Sequence, residues 1–98
     1  MRLQIYGFLL SLLLTLPHHA ISQNTLLIGR VVDIHNEPLI GVNVVQKGTT
    51  NGTITDLEGE FSFEAAPNAT IVFSYIGFRT EEVDRNGKAS ININVSSG

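Results

Sequence analysis

The stretch that decides the fold is Glu60-Phe61-Ser62-Phe63-Glu64-Ala65-Ala66-Pro67-Asn68-Ala69-Thr70-Ile71-Val72-Phe73-Ser74, at positions 60–74. In its first part Phe61 and Phe63 alternate with charged or hydroxyl side chains, and in its second part Ile71 and Phe73 share one face. Alternation with a period of two is typical of a strand that buries one face. The proline and asparagine between the two parts indicate a turn. The stretch therefore predicts two strands joined by a short loop, with phenylalanine side chains in a core.

The same period runs through the chain from Leu26 onward, and turn residues interrupt it at intervals of about 8 to 12 residues. We expect the strand at 70–74 to extend to residue 76, and we expect five more strands, at residues 26–33, 39–47, 53–56, 78–83 and 89–95. Asn51-Gly52 and Asn86-Gly87 indicate turns with positive φ, and the second pair is the strongest hairpin signal in the chain. About seven short strands predict an all-β fold, a small Greek-key β-sandwich.

The predicted strand at residues 78–83 follows a bend at Gly77 and carries Arg79, Glu81 and Glu82. Charges of this kind are typical of an edge strand, where they discourage pairing with another chain. A sheet edge can also accept a partner strand. The sequence leaves both roles open for this strand.

The first 22 residues have the features of a secretory signal peptide: Arg2 near the start, an apolar run at residues 5–16, and small residues at Ala20 and Ser22. As a helix, the apolar run would cover about 18 Å, too short for a hydrocarbon core of about 30 Å. We expect cleavage between Ser22 and Gln23. The predicted organisation is a signal peptide at 1–22 and one domain at 23–98, exported and with no direct membrane span after signal removal.

Composition excludes several classes of protein. The chain has 98 residues, a formal net charge of −3, scattered basic residues and no cysteine. One small domain fits this length, and the charge provides no basic surface for nucleic acid phosphates, so we expect no nucleic acid partner. With 43% hydrophobic and 15% charged residues the chain is too apolar for intrinsic disorder.

Catalytic chemistry has little support in the sequence. His35 is the one histidine beyond the predicted cleavage point, and it falls in a predicted turn with no nucleophile at a suggestive spacing. One histidine without cysteine also makes a zinc site improbable. We therefore expect that the protein is not an enzyme, that it has no catalytic residue, and that it binds no metal and no cofactor.

Asp56, Glu58 and Glu60 place three carboxylates at alternate positions around Gly59. Such spacing occurs in calcium loops, but the twelfth position of such a loop would be Pro67 rather than glutamate. A solvated β-turn is the simpler interpretation. An exported carbohydrate- or calcium-binding domain, using these carboxylates with an exposed Tyr75 or Phe78, stays open as the alternative function.

Five blocks of sequence, in order, closely resemble the carboxypeptidase-regulatory-like domain. They are IGRVVD at 28–33, EPLIGVNV at 37–44, KGTTNGT at 47–53, TDLEGEF at 55–61 and IVFSYIGF at 71–78. That domain is a transthyretin-like (prealbumin-like) β-sandwich. The version with these blocks is similar to the N-terminal periplasmic extension of SusC/RagA-type TonB-dependent outer-membrane receptors of Bacteroidetes.

The resemblance implies a non-catalytic interaction or structural module that accompanies uptake of glycans or peptides through the outer membrane. It implies a protein partner, either the remainder of such a receptor or a protein of the cell envelope. It also implies a periplasmic location, at the outer membrane if the module belongs to a receptor. We expect this stretch to lack the plug and barrel of such a receptor.

Overall fold

The computed structural model describes residues 23–98 as two packed β-sheets. Its strands are β1 (Thr25–Asp33), β2 (Asn43–Gln46), β3 (Gly52–Ile54), β4 (Glu60–Ala65), β5 (Thr70–Ser74), β6 (Glu81–Asp84) and β7 (Ser90–Val95). The first sheet has the order β4-β1-β7 and the second β3-β2-β5-β6. All neighbours are antiparallel except β1 and β7, which are parallel. The predicted seven-stranded sandwich is confirmed.

The predicted signal peptide at 1–22, with Ser22 before the cut, lies outside the described residues, and Gln23 is the first residue described. Within residues 23–98 there is no helix long and apolar enough to cross a membrane.

The core lies between the sheets and is formed by the residues that alternate inward. Phe61, Phe63, Ile71 and Phe73 are all buried, as the period of two predicts. The rings of Phe61 and Phe73 meet edge to face with centroids 5.6 Å apart, which ties the two sheets together. Burial of each phenylalanine contributes about 2 to 3 kcal/mol.

Strand β2 begins later than predicted, at Asn43 rather than residue 39. Leu39 instead donates its N–H to Val31 O of β1, at 3.1 Å. Gly41 donates to Thr55 O, and Val42 donates to Thr55 Oγ1 at 2.9 Å. Residues 39–42 therefore bridge the two sheets, because their hydrogen bonds go to β1 and to Thr55.

The predicted hairpin at Asn86-Gly87 is wrong, although the turn itself is present. Both residues have positive φ, 49° and 72°, as such a turn requires. The flanking strands do not pair with each other, because β6 pairs with β5 and β7 pairs with β1. The turn carries the chain from one sheet to the other, while Gly87 N–H donates to Pro67 O.

The predicted positive-φ turn at Asn51-Gly52 is also wrong. The left-handed residue of that loop is Gly48, with φ of 79°. Gly52 is required for a different reason, since a Cβ there would lie 2.4 Å from Val44 O on the neighbouring strand. A positive φ and a close backbone approach cannot be told apart in the sequence, because each requires glycine.

Candidate interaction surfaces

His35 lies exposed in the turn after β1, as predicted. The nearby carboxylate of Asp33 accepts the backbone N–H groups of His35 and Glu37 through one oxygen, at 2.8 and 2.9 Å. Asp33 therefore holds the turn closed. The contacts of His35 are those of a solvated turn residue.

The three alternating carboxylates at Asp56, Glu58 and Glu60 form a second turn of the same design. Asp56 Oδ1 accepts the N–H groups of Glu58 and Glu60, at 3.0 and 2.8 Å. One oxygen of Asp56 is thus used by the backbone. In the part of the chain that the structure describes, no group of three His, Cys, Asp or Glu side chains converges as metal ligands. This geometry is that of a solvated turn and gives the calcium alternative no support.

Tyr75 and Phe78 are together at one end of the sandwich, in the loop between β5 and β6. Their rings lie 5.6 Å apart, and Phe78 also packs against the core. Ile76 at the tip of this loop is 96% exposed, and Gly77 gives the bend predicted there, with φ of 88°. This end of the molecule therefore presents an apolar tip.

A groove of about 670 Å³ runs across the outer face of the first sheet. Ile28 and Arg30 of β1, Ile54 of β3 and Glu60 of β4 line it. Arg30 donates from Nε to Glu58 O at 3.0 Å, so its side chain is fixed along the groove. Asp56 and Glu60 line this groove whereas Tyr75 and Phe78 do not, so it contains two of the carboxylates expected of a carbohydrate site and neither of the expected aromatic residues.

The edges of the two sheets differ in how they are protected. Strand β3 has three residues, and a strand this short is a poor template for pairing. Strand β4 is capped at both ends, because Glu60 exchanges hydrogen bonds with Asp56 and Glu64 O accepts from the side chain of Asn51 at 2.8 Å.

Strand β6 begins at Glu81, three residues later than predicted, so Arg79 lies outside it. The strand carries Glu81, Glu82 and Asp84 and lies at an edge of its sheet, as predicted. Lys47 of the β2–β3 loop forms an ion pair with Glu82, with Nζ and Oε1 2.7 Å apart. This hydrogen bond raises the pKa of Lys47 above its ordinary value. Charge therefore protects the edge at β6 from non-specific pairing.

Strand β7 is covered only beyond its C-terminal end, where Arg79 N–H donates to Ser96 O, and its own length carries none of these protections. Its six residues, Ser90 to Val95, include no charge and no proline. Ile28 of β1 donates its N–H to Ala89 O at 3.1 Å, which fixes which residues of β7 face β1. Since successive residues of a strand point their backbone groups to opposite sides, Ser90, Asn92 and Asn94 direct their N–H and C=O groups away from β1. Within residues 23–98 no backbone hydrogen bond reaches these outward groups.

Arg85 is a structural residue that the sequence did not reveal. It is 2% exposed, and its guanidinium donates to the carbonyl oxygens of Thr25, Leu26, Ala65 and Lys88, at 2.7 to 3.1 Å. It joins the start of β1, the end of β4 and the turn before β7. An arginine in a polar Asp-Arg-Asn-Gly-Lys turn gives no sequence signal of burial.

Proteins related in sequence share this domain. Residues 27–97 match the family described as the CarboxypepD_reg-like domain. The chain is 47% identical over 64 residues to the TonB-dependent receptor SusC of Bacteroides thetaiotaomicron, covering 65% of this chain and 6% of that protein. It is 39% identical over 70 residues to the TonB-dependent receptor P39 of Formosa agariphila, covering 70% of this chain and 7% of that protein. The chain thus spans a small fraction of the length of these relatives.

Solved structures share the fold at low identity. A chain in a type II cohesin–X-dockerin complex from Acetivibrio cellulolyticus superposes with a TM-score of 0.63 at 21% identity, covering 76% of this chain and 58% of that one. A 3-chlorocatechol 1,2-dioxygenase from Rhodococcus opacus gives a TM-score of 0.52 at 11% identity, covering 85% of this chain and 63% of that one. These likenesses establish the sandwich alone. The five sequence blocks, the two-sheet architecture and the match over residues 27–97 together show that the chain belongs to the CarboxypepD_reg-like domain family.

Proposed function

We propose that this chain is the N-terminal periplasmic domain of a SusC-like TonB-dependent receptor, or a free module of the same kind, and that it acts as a non-catalytic protein-interaction module. The observation that carries the proposal is the sequence match to SusC, 47% identical over 64 residues that make up 6% of the receptor. A match confined to so small a part of a large receptor is typical of one accessory domain. The uptake of glycans or peptides would be the process it serves.

The side-chain geometry supports an interaction role over an enzymatic one. His35 lies exposed in a turn that the Asp33 carboxylate closes, and the Asp56 carboxylate is used in a second turn. By contrast, an open sheet edge, an apolar tip and an outer groove are all surfaces that proteins use to meet other proteins.

Fractionation of the source cells tests this proposal. An antibody raised against residues 23–98 is used to probe cytoplasmic, periplasmic and outer-membrane fractions, and the detected protein is sequenced from its N-terminus. We expect a band in the periplasm or at the outer membrane, beginning at Gln23. A large outer-membrane band would identify a receptor, and a band smaller than the full 10.7 kDa chain in the periplasm would identify a free module. A protein confined to the cytoplasm with Met1 retained would refute the proposal.

A further inference from the structure

We propose that the free edge of β7 is a docking site for an extended segment of a protein partner, which adds to the first sheet as a fourth strand beside β7. This inference rests on the proposed function as an interaction module and specifies its surface. The partner segment has apolar residues at alternate positions and a lysine or arginine among them.

The backbone of β7 defines the shape of the ligand. Ser90, Asn92 and Asn94 direct three N–H and three C=O groups outward with no partner in residues 23–98. A row of such groups at the spacing of every second residue is matched by another strand, and main-chain hydrogen bonds then supply affinity. The other three edges are short, capped or charged, so β7 is the edge left for this use.

The first sheet has one strand fewer than the second, and this difference is the reason to expect apolar residues on the partner segment. The first sheet has three strands and the second has four, and β3 lies against β4 at one side. At the opposite side, Arg79 N–H donates to Ser96 O, which joins the segment before β6 to the segment after β7. An added strand beside β7 would lie over β6. Ile93 of β7, Val83 of β6 and Phe78 before β6 are only partly buried and pack against the core, so an apolar face on the added strand would extend that core.

Glu81 is the reason to expect a lysine or arginine on the partner segment. It lies directly opposite Phe73 in the β5–β6 ladder, and opposite residues of an antiparallel pair share a face, so Glu81 is on the core-facing side of β6. It is partly buried, and in residues 23–98 its carboxylate takes part in no ion pair or hydrogen bond. A cationic side chain on an added strand would complete this site by charge complementarity.

Charge also favours a partner protein over a second copy of this chain. The full chain has a formal charge of −3, and removal of the residues before Gln23 takes away Arg2, leaving −4. Two copies would repel each other, and β7 of a second copy brings no cation to Glu81, because its residues are Ser, Ile, Asn and Val.

Peptide binding to the exported protein tests this docking site. The probe is an acetylated, amidated octapeptide in which threonine alternates with valine, isoleucine and one lysine. Controls are a scrambled peptide that lacks the alternation and a peptide with glutamate in place of lysine. Nuclear magnetic resonance records amide shifts and hydrogen exchange for residues 90–95. We expect the amides of Ser90, Asn92 and Asn94 to shift and become protected with the lysine peptide, and the glutamate peptide to bind about tenfold more weakly.

Two variants locate the site. Asn92→Pro removes an outward N–H that β1 does not use, and we expect it to weaken binding by about tenfold, whereas Asn92→Thr should bind as the parent does. Glu81→Lys leaves β7 untouched and should reverse the preference between the lysine and glutamate peptides, so the proposal stays testable if the proline variant fails to fold.

The proposal is overturned if millimolar peptide leaves the three amides unshifted, or if Glu81→Lys leaves the preference unchanged. Protection of the same amides by self-association without peptide would identify a second copy as the occupant and would also refute it. These binding results are separate from the cell fractionation, so a periplasmic protein with no peptide binding would retain the proposed function and lose only this docking site.

Discussion

Arg85 is a buried charged residue whose hydrogen-bond partners are all neutral. Its guanidinium donates to four backbone carbonyl oxygens and to no carboxylate among the described residues. A buried charge without hydrogen bonds is costly, whereas one that satisfies several carbonyls fixes their positions. Arg85 thereby holds together the start of β1, the end of β4 and the turn before β7.

Replacing Arg85 by methionine should lower the free energy of unfolding by about 2 to 4 kcal/mol, because several carbonyl groups lose their donor. Urea denaturation of the protein measures this loss. Arg79→Met is the control, since Arg79 is exposed, and should change stability by less than about 0.5 kcal/mol. Equal stabilities of the two variants would show that the Arg85 hydrogen bonds contribute little.

Gly29 and Gly48 require glycine for different reasons, a close packing contact at Gly29 and a positive φ at Gly48. A Cβ at Gly29 would lie 1.8 Å from Ile91 O and 2.6 Å from Phe61 Cζ, whereas one at Gly48 would meet nothing within 4 Å, and only Gly48 has positive φ. Gly29→Ala should therefore cost about 3 kcal/mol or more by forcing β1 and β7 apart, and Gly48→Ala about 1 kcal/mol through backbone strain. Thermal and urea unfolding would give this ranking, and the reverse order would contradict the packing of Phe61 over Gly29.

At the scale of the elements, strand identity followed from the sequence while strand pairing did not. The alternation of Phe61, Phe63, Ile71 and Phe73 located β4 and β5 with their buried faces, because side-chain period is a local property. The Asn86-Gly87 turn was located too, but its local geometry is shared by hairpins and by crossings between sheets. At this crossing Arg85 and Gly87 hydrogen-bond to residues distant in sequence, and no local pattern reports such contacts.

In the loop before β2, a side-chain hydroxyl forms hydrogen bonds with backbone groups that a neighbouring strand would otherwise pair. Thr55 is buried, and its hydroxyl accepts from Val42 N and donates to Leu39 O. Thr55→Val keeps the shape but leaves both backbone groups unpaired, so it should cost about 1 to 3 kcal/mol, whereas Thr55→Ser keeps both bonds and should cost less. Denaturant titration of the two variants checks this, and equal losses would mean that the methyl group, not the hydroxyl, matters.

The turn at residues 56–60 gives a direct test of the calcium alternative. Asp56→Ala should lower stability by about 1 kcal/mol, because the N–H groups of Glu58 and Glu60 lose their acceptor, while Asp56→Asn keeps an oxygen there and should lose less. Calcium at millimolar concentration should leave the melting temperature of the parent unchanged. A calcium-dependent rise that Asp56→Ala abolishes would revive the metal-binding function.

At the scale of the whole molecule, three strands facing four leave one side of the sandwich incomplete. The sequence predicted about seven strands and a charged strand, β6, at an edge, and these features are confirmed. It did not reveal that the uncharged β7 is also an edge, because Ile91, Ile93 and Val95 resemble a strand of the sheet interior. Edge position depends on strand order, and in this fold that order includes a parallel pairing of residues about 60 apart.

Residue-resolved amide hydrogen exchange along β7 tests most directly the claim that this domain is a sandwich with one open, unprotected edge. In the free protein we expect slow exchange at Ile91, Ile93 and Val95, whose N–H groups face β1, and fast exchange at Ser90, Asn92 and Asn94, whose N–H groups face solvent. Uniform protection of all six amides would show that another segment already covers the edge, and uniform fast exchange would show that β7 is not docked on β1. Either uniform result would contradict the claim.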